Sequence, residues 1–345
     1  MSDSNAYAQY AGKAIEVLLA SLRPIGDLTN MWGSGWWNKA ITLQALVDYM
    51  NASGSTAYMN VVASVGSAYG NFIPYVQPGF YDDEGWWALA WMSAYELSVK
   101  LGQPQEQYLT FAVNLFNDIS GGWDDTCNGG IWFKRQPATP NSKDAIQNEE
   151  YLELACRLYL NSPTTTSYLN AAQNTWTWFK NSGMINGRNL VNNGLDASCN
   201  PTQNHIWTYT QGVLIGALAS LYRATKEQDL LRQATLIADA AIATLCYPDG
   251  VLSDPCEASG TCDQDQQQFK GIFMQYLAQL WSTISDAPAK RRYGAFIKLN
   301  ADALWSNYGS GGQFGLVWNG GSTDFNGTVQ TSAIQAFNAA LVASC

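Results

Sequence analysis

The chain is poor in charge. Only 13% of its 345 residues are Asp, Glu, Lys or Arg, about half the share of an average soluble domain. Basic residues are the scarcer kind: 18 Lys and Arg stand against 28 Asp and Glu, for a formal net charge of −10. That balance leaves no basic face for nucleic acid or an anionic membrane, so neither is expected as a partner. His205 is the single histidine, and no two cysteines form a CxxC pair, which leaves no zinc spacing. Nor does any Ser/Asp arrangement around His205 point to a catalytic triad. No apolar run reaches the roughly 18 residues of a membrane span. No apolar leader opens the chain, and Met1-Ser2-Asp3 has the look of an engineered start. No hydrophobic tail for a lipid anchor closes it. The expectation is a mature secreted protein acting on a neutral substrate.

Aromatic residues are what the chain has in excess: 14 Trp and 18 Tyr within a 47% hydrophobic composition. Most of them are expected to fill a core. A sugar-binding cleft accounts for the remainder, because aromatic faces are apolar platforms for sugar rings. Seven cysteines stand at 127, 156, 199, 246, 256, 262 and 345. Six lie in or near presumed loops or chain ends, which suits disulfides and an oxidising compartment. Cys156 lies in an apolar helical stretch and is expected to be a free thiol. Asn51-Ala-Ser and Asn326-Gly-Thr match the glycosylation sequon.

The most informative segment is Gly79-Phe80-Tyr81-Asp82-Asp83-Glu84-Gly85-Trp86-Trp87. Two adjacent carboxylates repel, so one holds its proton more tightly than the other, and water-excluding rings widen the difference. Cleavage of a glycosidic bond needs that division: one ionised carboxylate and one protonated one. A plainer reading has one aspartate capping a helix, which explains one carboxylate but not two.

Apolar residues recur at three- and four-residue spacing through about twelve segments. They span 5–22, 36–51, 56–71, 83–101, 105–118, 144–161, 165–181, 204–224, 227–245, 264–284, 288–306 and 327–343. Short apolar pieces at Ile131-Trp132-Phe133 and Phe314–Trp318 read as small hairpins. Every second helix, the even-numbered ones, is apolar on most sides, as in Gly212-Val-Leu-Ile-Gly-Ala-Leu-Ala, and is therefore buried on most sides. Their partners are one-sided. Six such helical hairpins, repeating every 50–60 residues or so, predict an all-α fold, an (α/α)6 barrel in one domain over 1–345. The long loops carrying Gly, Asp, Asn and Trp precede the inner helices, so the site is expected at the mouths of those helices.

Several of these mouths carry candidate binding groups. Met31-Trp-Gly-Ser-Gly-Trp36-Trp37 opens the second helix, where Trp32, Trp36 and Trp37 are either core or stacking surface. Gly121-Gly-Trp123-Asp124-Asp125-Thr-Cys-Asn-Gly-Gly-Ile-Trp132 holds a second acidic pair among glycines. It reads as an Asx turn or as a loop whose carboxylates grip sugar hydroxyls. A calcium site there lacks EF-hand spacing. Asn148-Glu149-Glu150, His205-Ile-Trp207-Thr-Tyr209-Thr-Gln211 and Asp263–Gly271 open further inner helices.

With these motifs the chain resembles glycoside hydrolase family 76, the α-1,6-mannanases and their fungal cell-wall relatives. The resemblance is carried, in the family's order, by Gly35-Trp-Trp-Asn-Lys-Ala, Tyr81-Asp-Asp-Glu-Gly-Trp-Trp, Gly122-Trp-Asp-Asp-Thr-Cys-Asn-Gly-Gly-Ile-Trp, Trp207-Thr-Tyr-Thr-Gln-Gly and Phe269-Lys-Gly-Ile-Phe. It implies a retaining enzyme without metal or other cofactor, with Asp82 as nucleophile and Asp83 as acid/base. It also implies substrate contacts from Trp36, Trp37, Tyr81, Trp86, Trp123, Asp124, Asp125, Trp132, Asn148, His205, Tyr209, Gln211 and Lys270. The expected substrate is α-1,6-mannan, cut inside the chain by a monomeric protein secreted to the medium or the cell wall. Three alternatives stand beside it: a transglycosidase that moves a mannan-bearing anchor onto wall glucan, a non-catalytic mannan-binding protein, and another (α/α)6 enzyme with a different sugar. Retention requires the two carboxylates roughly 5–5.5 Å apart. Adjacent residues inside a helix point about 100° apart, so the pair is expected where its helix begins.

Overall fold

The computed structural model describes residues 3–20, 36–72, 79–135, 141–202, 205–321 and 325–345. Trp32, with the rest of the 31–35 turn, lies outside the described residues. In chain order the elements are α1 (Asp3–Ala20), α2 (Trp36–Ser53), α3 (Met59–Phe72), α4 (Tyr81–Lys100), α5 (Glu106–Ser120), β1 (Lys143–Asp144), α6 (Ala145–Asn161), α7 (Thr166–Asn181), β2 (Gly194–Leu195), α8 (Thr208–Thr225), α9 (Gln228–Thr244), α10 (Pro255–Ser259), α11 (Phe269–Thr283), α12 (Ala287–Ser306) and α13 (Gly327–Val342). The twelve long helices fall on the twelve periodic segments. The five-residue α10 is too short for periodicity to register. The chain divides into two compact units, Met1–Ile73 with Ile242–Cys345, and Pro74–Ala241.

In the continuous unit, α4, α6 and α8 are the buried helices. α6 buries 14 of its 17 residues and α8 13 of its 18, so neither keeps a solvent face. α5 and α7 bury only one stripe each, Tyr108, Phe111, Ala112, Leu115, Phe116 and Ile119 in the case of α5. Part of the aromatic excess is core: Trp87 stacks on Trp91 at 5.9 Å, and Trp91 on Tyr108 at 5.4 Å. In the discontinuous unit α13 is the buried element, with 15 of 16 residues inside. It packs against α1, α2 and α11. Asn326 caps it, accepting from the backbone N–H groups of Thr328 and Val329 and donating to Gln267. That side chain is therefore engaged in the fold.

Strand structure among the described residues is one two-residue pair. β1 runs antiparallel to β2, with Lys143 opposite Leu195 and Asp144 opposite Gly194. Ile131 forms a single bridge with Trp123, whereas Phe314–Trp318 forms no strand.

The loops after α5, α7 and α9 share one device. Each turns back through a single bridge, Trp123 to Ile131, Ile185 to Val191 and Cys246 to Leu252. A buried amide then holds the returning residue by its backbone. Asn148 accepts from Ile131 N–H and donates to its carbonyl, and Gln211 does the same to Val191. Asn300 accepts from Leu252 N–H. These bonds satisfy buried main-chain groups, each of which costs about 1–3 kcal/mol if left unpaired.

Two disulfides close, Cys127–Cys199 and Cys256–Cys262. Cys156 is free and buried, as expected, but Cys246 and Cys345 are free as well. Four of the six loop cysteines thus pair rather than all six.

Candidate active site

Asp82 and Asp83 lie in the first turn of α4, whose N-cap is Phe80 in extended conformation. Neither aspartate caps the helix, since Phe80 takes that position. The approach is fixed by Tyr81 N–H donating to Phe133 O and Arg135 N–H donating to Gly79 O, both at 3.0 Å. One carboxyl oxygen of Asp82 is buried with no hydrogen-bond partner. Its pKa is held well above the ordinary carboxylate range, by burial first and then by the charges of Asp83 and Asp144. Backbone N–H groups of the helix start pull the other way. A helix terminus offers about 0.3–1 kcal/mol to a charge, less than one pKa unit, whereas burial moves a carboxyl by up to 3–5 units. Burial therefore outweighs the dipole, and Asp82 holds a proton more readily than an ordinary carboxylate, where the helix dipole alone predicts an ionised group. In a coupled pair that proton belongs to the dyad rather than to one residue.

More carboxyls surround the dyad. Burial lifts Asp144, at the end of β1, to about 6. Glu149 and Glu150 on α6 are fully buried, and none of their four carboxyl oxygens has a hydrogen-bond partner. Burial pushes both well up, and Glu150 is lifted further by Asp82, Asp83 and Glu149. Gly85 makes room for it, because a β-carbon there would lie 2.7 Å from Glu150 Cδ. The Tyr209 phenol is raised by burial and then by Asp82, Asp144, Glu149 and Glu150. α4, α6 and α8 thus bring five carboxyls and a phenol into one electrostatic neighbourhood.

Glu84, next in sequence to the dyad, has a different partner. The Arg135 guanidinium bridges Glu84 and Asp118 and lies 4.6 Å from the centre of the Tyr81 ring. Burial, and then the bond to Asp118, lift Glu84 to about 8. Tyr81 is buried, with the guanidinium over its ring, so it is not the open sugar platform expected of it. The nearby cation is drawn to Glu84 and Asp118, while Asp82 keeps a buried oxygen without a partner.

The second acidic pair is a loop organiser at Asp124. Its carboxylate accepts from Lys143 Nζ at 2.6 Å, from Thr126 N–H and hydroxyl, and from Trp132 Nε1. Burial tends to raise it, but the bonds from Lys143, Trp132 and the Thr126 N–H, with the charge of Lys143, hold it at about 2. Lys143, itself buried, also donates to the carbonyls of Thr126 and Gly129 and lies 5.0 Å from the Trp132 ring centre. Asp125 is exposed and stays a candidate for sugar contact, as does the partly exposed Trp132.

Other expected contacts sort by burial. Trp86 is 2% exposed, so its ring belongs to the core. Asn148 and Gln211 are fully buried, their amides bonded to Ile131 and Val191 and to Asp144 O or Trp207 O. Both hold loops by their backbone. Lys270, in the discontinuous unit, is buried in an ion pair with Glu257 and donates to Leu316 O, so its charge is also internal. Trp36 and Trp37, in the same unit, are partly exposed, and Trp37 Nε1 donates to Asp265 at 2.7 Å. His205 is exposed and stacks on Trp207 at 5.2 Å. Tyr209 joins the dyad's neighbourhood, and Trp123 stands edge-to-face with Trp178 at 5.8 Å. Asp144, Lys143 and Arg135 were not singled out in sequence. Asp144 precedes an inner helix as the dyad does, and that position was the available signal.

Comparison with known proteins gives one family and several close folds. The profile described as Glycosyl hydrolase family 76 matches residues 6–344. The mannan endo-1,6-alpha-mannosidase DFG5 of Candida albicans is 28% identical over 70% of this chain, which spans 57% of that relative's length. A solved structure of an inactive variant of the alpha-1,6-mannanase GH76A of Salegentibacter sp. HEL1_6, in complex with alpha-1,6-mannotriose, superposes with a TM-score of 0.86 at 24% identity, over 98% of this chain and 99% of that one. That variant has two adjacent aspartates replaced by asparagine. Dfg5 from Chaetomium thermophilum, solved in complex with glucosamine, superposes with a TM-score of 0.83 at 20% identity, over 98% and 90%. These neighbours are helical barrels, and the all-α fold expected from the helix pattern is theirs.

Proposed function

The chain belongs to glycosyl hydrolase family 76, and from that premise we propose that it cleaves α-1,6-mannosidic bonds within mannan, with retention at the anomeric carbon and the whole chain as one catalytic domain. The observation that carries the reading is the dyad itself: two adjacent carboxyls in the first turn of a buried helix, with burial raising Asp82 above the ordinary carboxylate range. The inactive variant of the Salegentibacter mannanase has a neighbouring pair of aspartates replaced. This chain has such pairs at 82–83 and 124–125, and the second is engaged by Lys143.

In the proposed reaction Asp82 attacks the anomeric carbon while Asp83 gives its proton to the leaving glycosidic oxygen. The carbon–oxygen bond breaks and a glycosyl ester forms on Asp82. Asp83, now ionised, takes a proton from water, whose oxygen displaces Asp82 and restores the starting configuration. A proton that burial favours at Asp82 is compatible with these roles. Adjacent carboxyls exchange it, and positive charge growing at the anomeric carbon favours ionised Asp82 beside protonated Asp83. Asp125, Trp132, His205 and Tyr209 are the proposed sugar contacts of the dyad's own unit, and Trp36 and Trp37 are proposed separately as sugar contacts of the other unit. Secretion as a monomer is part of the proposal, supported by two disulfides. Among the described residues no helix is long and apolar enough to cross a membrane.

Incubation with linear α-1,6-mannan, followed by product sizing and detection of the first-formed anomer, tests the reading. Oligosaccharides of mixed length released as the α-anomer are expected. Release of mannose alone overturns internal cleavage, the β-anomer overturns retention, and no release overturns the substrate. Adding an acceptor oligosaccharide separates hydrolysis from transfer, since only transfer lengthens the acceptor.

A further inference from the structure

A pocket of about 500 Å³ lies between α7 and the loops at 123–128 and 195–199. None of its lining side chains is charged, and none belongs to the dyad's carboxyl neighbourhood. One wall is a face of α7 that presents Asn174, Thr177 and Asn181 at helical spacing. All three are exposed, and among the described residues none of their side chains has a hydrogen-bond partner. Trp178 of the same helix lines the pocket too, and the rest of the lining includes Trp123 and the Cys127–Cys199 disulfide.

The pocket is rigidly built. Trp178 Nε1 donates to Cys127 O at 3.0 Å, and Lys143 holds the carbonyls of Thr126 and Gly129. The backbone at Gly129 and Gly130 packs closely on the Trp178 indole, so a β-carbon at either would collide with its ring atoms. Six non-glycine residues among those described have positive φ, and three of them, Cys127, Asn128 and Cys199, line this pocket. Such conformations persist where the surroundings over-determine them, and they concentrate at binding sites. The volume falls in the range of small-ligand pockets. Free neutral amides and a hydroxyl, beside indole edges and without charge, suit an uncharged ligand rich in hydroxyls and disfavour anions and cations alike.

We infer that this pocket is a second saccharide-binding site, which holds a short uncharged stretch of polymer away from the dyad while the dyad acts on another stretch. It rests on the mannan reading of the active site only for the identity of the sugar. Calorimetric titration of the full-length Asp82→Asn/Asp83→Asn protein with α-1,6-mannotriose tests it. Two binding events are expected. Adding Asn174→Ala/Asn181→Ala weakens one of them about ten-fold or more, as for loss of two hydrogen-bonding side chains, and leaves the other. These exposed helix positions accept alanine without harm to the fold. With the dyad intact, Asn174→Ala/Asn181→Ala is expected to raise KM for linear mannan while leaving kcat/KM for mannotriose unchanged. Normal hydrolysis of mannan with a single binding event, unaltered by the two substitutions, overturns this inference and leaves the active-site reading standing. Binding that the two substitutions weaken, without hydrolysis, supports the pocket and overturns the active-site reading. Mannan and mannotriose neither bound nor cleaved overturns both.

Discussion

The carboxyl of Glu150 rests against Gly85, with its Cδ 2.7 Å from where a β-carbon would stand. Gly85 follows Asp82 by three residues on α4, so the two share a helix face. Glycine to alanine in a helix interior ordinarily gains about 1 kcal/mol, while overpacking costs about 1–3 kcal/mol. Gly85→Ala is therefore predicted to lower Tm and to reduce kcat by displacing Glu150 against the dyad. An unchanged or higher Tm in a thermal melt would show that Glu150 moves aside freely.

The two acidic pairs are predicted to separate by what they damage. Asp83→Asn should lower kcat on mannan about 10²–10⁴-fold, the usual worth of a general acid or base, and Asp82→Asn, which removes the nucleophile, at least as much, with the melting curve little changed. Asp124→Asn should instead lower Tm, because it leaves the buried Lys143 ammonium without its carboxylate. Activity and melting measured on the same three variants check this. Full activity in Asp82→Asn would remove the dyad from the mechanism.

Stability is predicted to fall as pH rises above the carboxylate range. Asp82, Glu149 and Glu150 have folded pKa values raised by burial. Below the unfolded value, about 4.3 for Glu, both states are protonated and the native state carries no penalty. Above it the unfolded chain releases protons that the native chain keeps, at about 1.4 kcal/mol per group per pH unit until the native group titrates. Asp124, held at about 2, acts oppositely in acid, where its half-exposed carboxylate limits the effect. Tm should thus decline from pH 5 to 8, and Glu150→Gln should flatten the decline. A Tm rising over that interval would contradict the buried, protonated state.

Lys143 is predicted to be the main fastener of the 124–130 loop. Lys143→Met keeps the stem's bulk but strips donors from Asp124 and from the carbonyls of Thr126 and Gly129. A loss of about 2–4 kcal/mol is expected, the cost of leaving such acceptors unmet. Urea unfolding measures the loss, and limited proteolysis should show earlier cutting within 124–130. A variant as stable and as resistant as the parent would place the loop's support in the Cys127–Cys199 bridge alone.

The helix pattern and the dyad's place at the start of α4 were legible because both are local. Periodicity reports burial, and Asp82-Asp83 among rings is an oddity that one helix turn cannot hide. The partners were not legible. Asn148 and Gln211 stand at helix mouths among polar residues, and an amide there looks the same whether it meets a sugar hydroxyl or the backbone of Ile131 and Val191. Arg135 is 51 residues from Glu84, and Lys143 is 19 from Asp124. No short-range pattern records such pairings. The cysteines failed for the same reason: loop position shows that pairing is possible, while geometry decides that Cys246 and Cys345 stay free.

The buried amides that hold the returning loops have a consequence for variation. Asn148, Gln211 and Asn300 grip main-chain N–H or C=O groups of Ile131, Val191 and Leu252. Every residue except proline presents both groups, so the grip is blind to the side chain it holds. Loop positions facing solvent are thereby open to wholesale exchange while the frame beneath them keeps its shape. A library built on those positions alone should yield folded proteins with altered sugar preference.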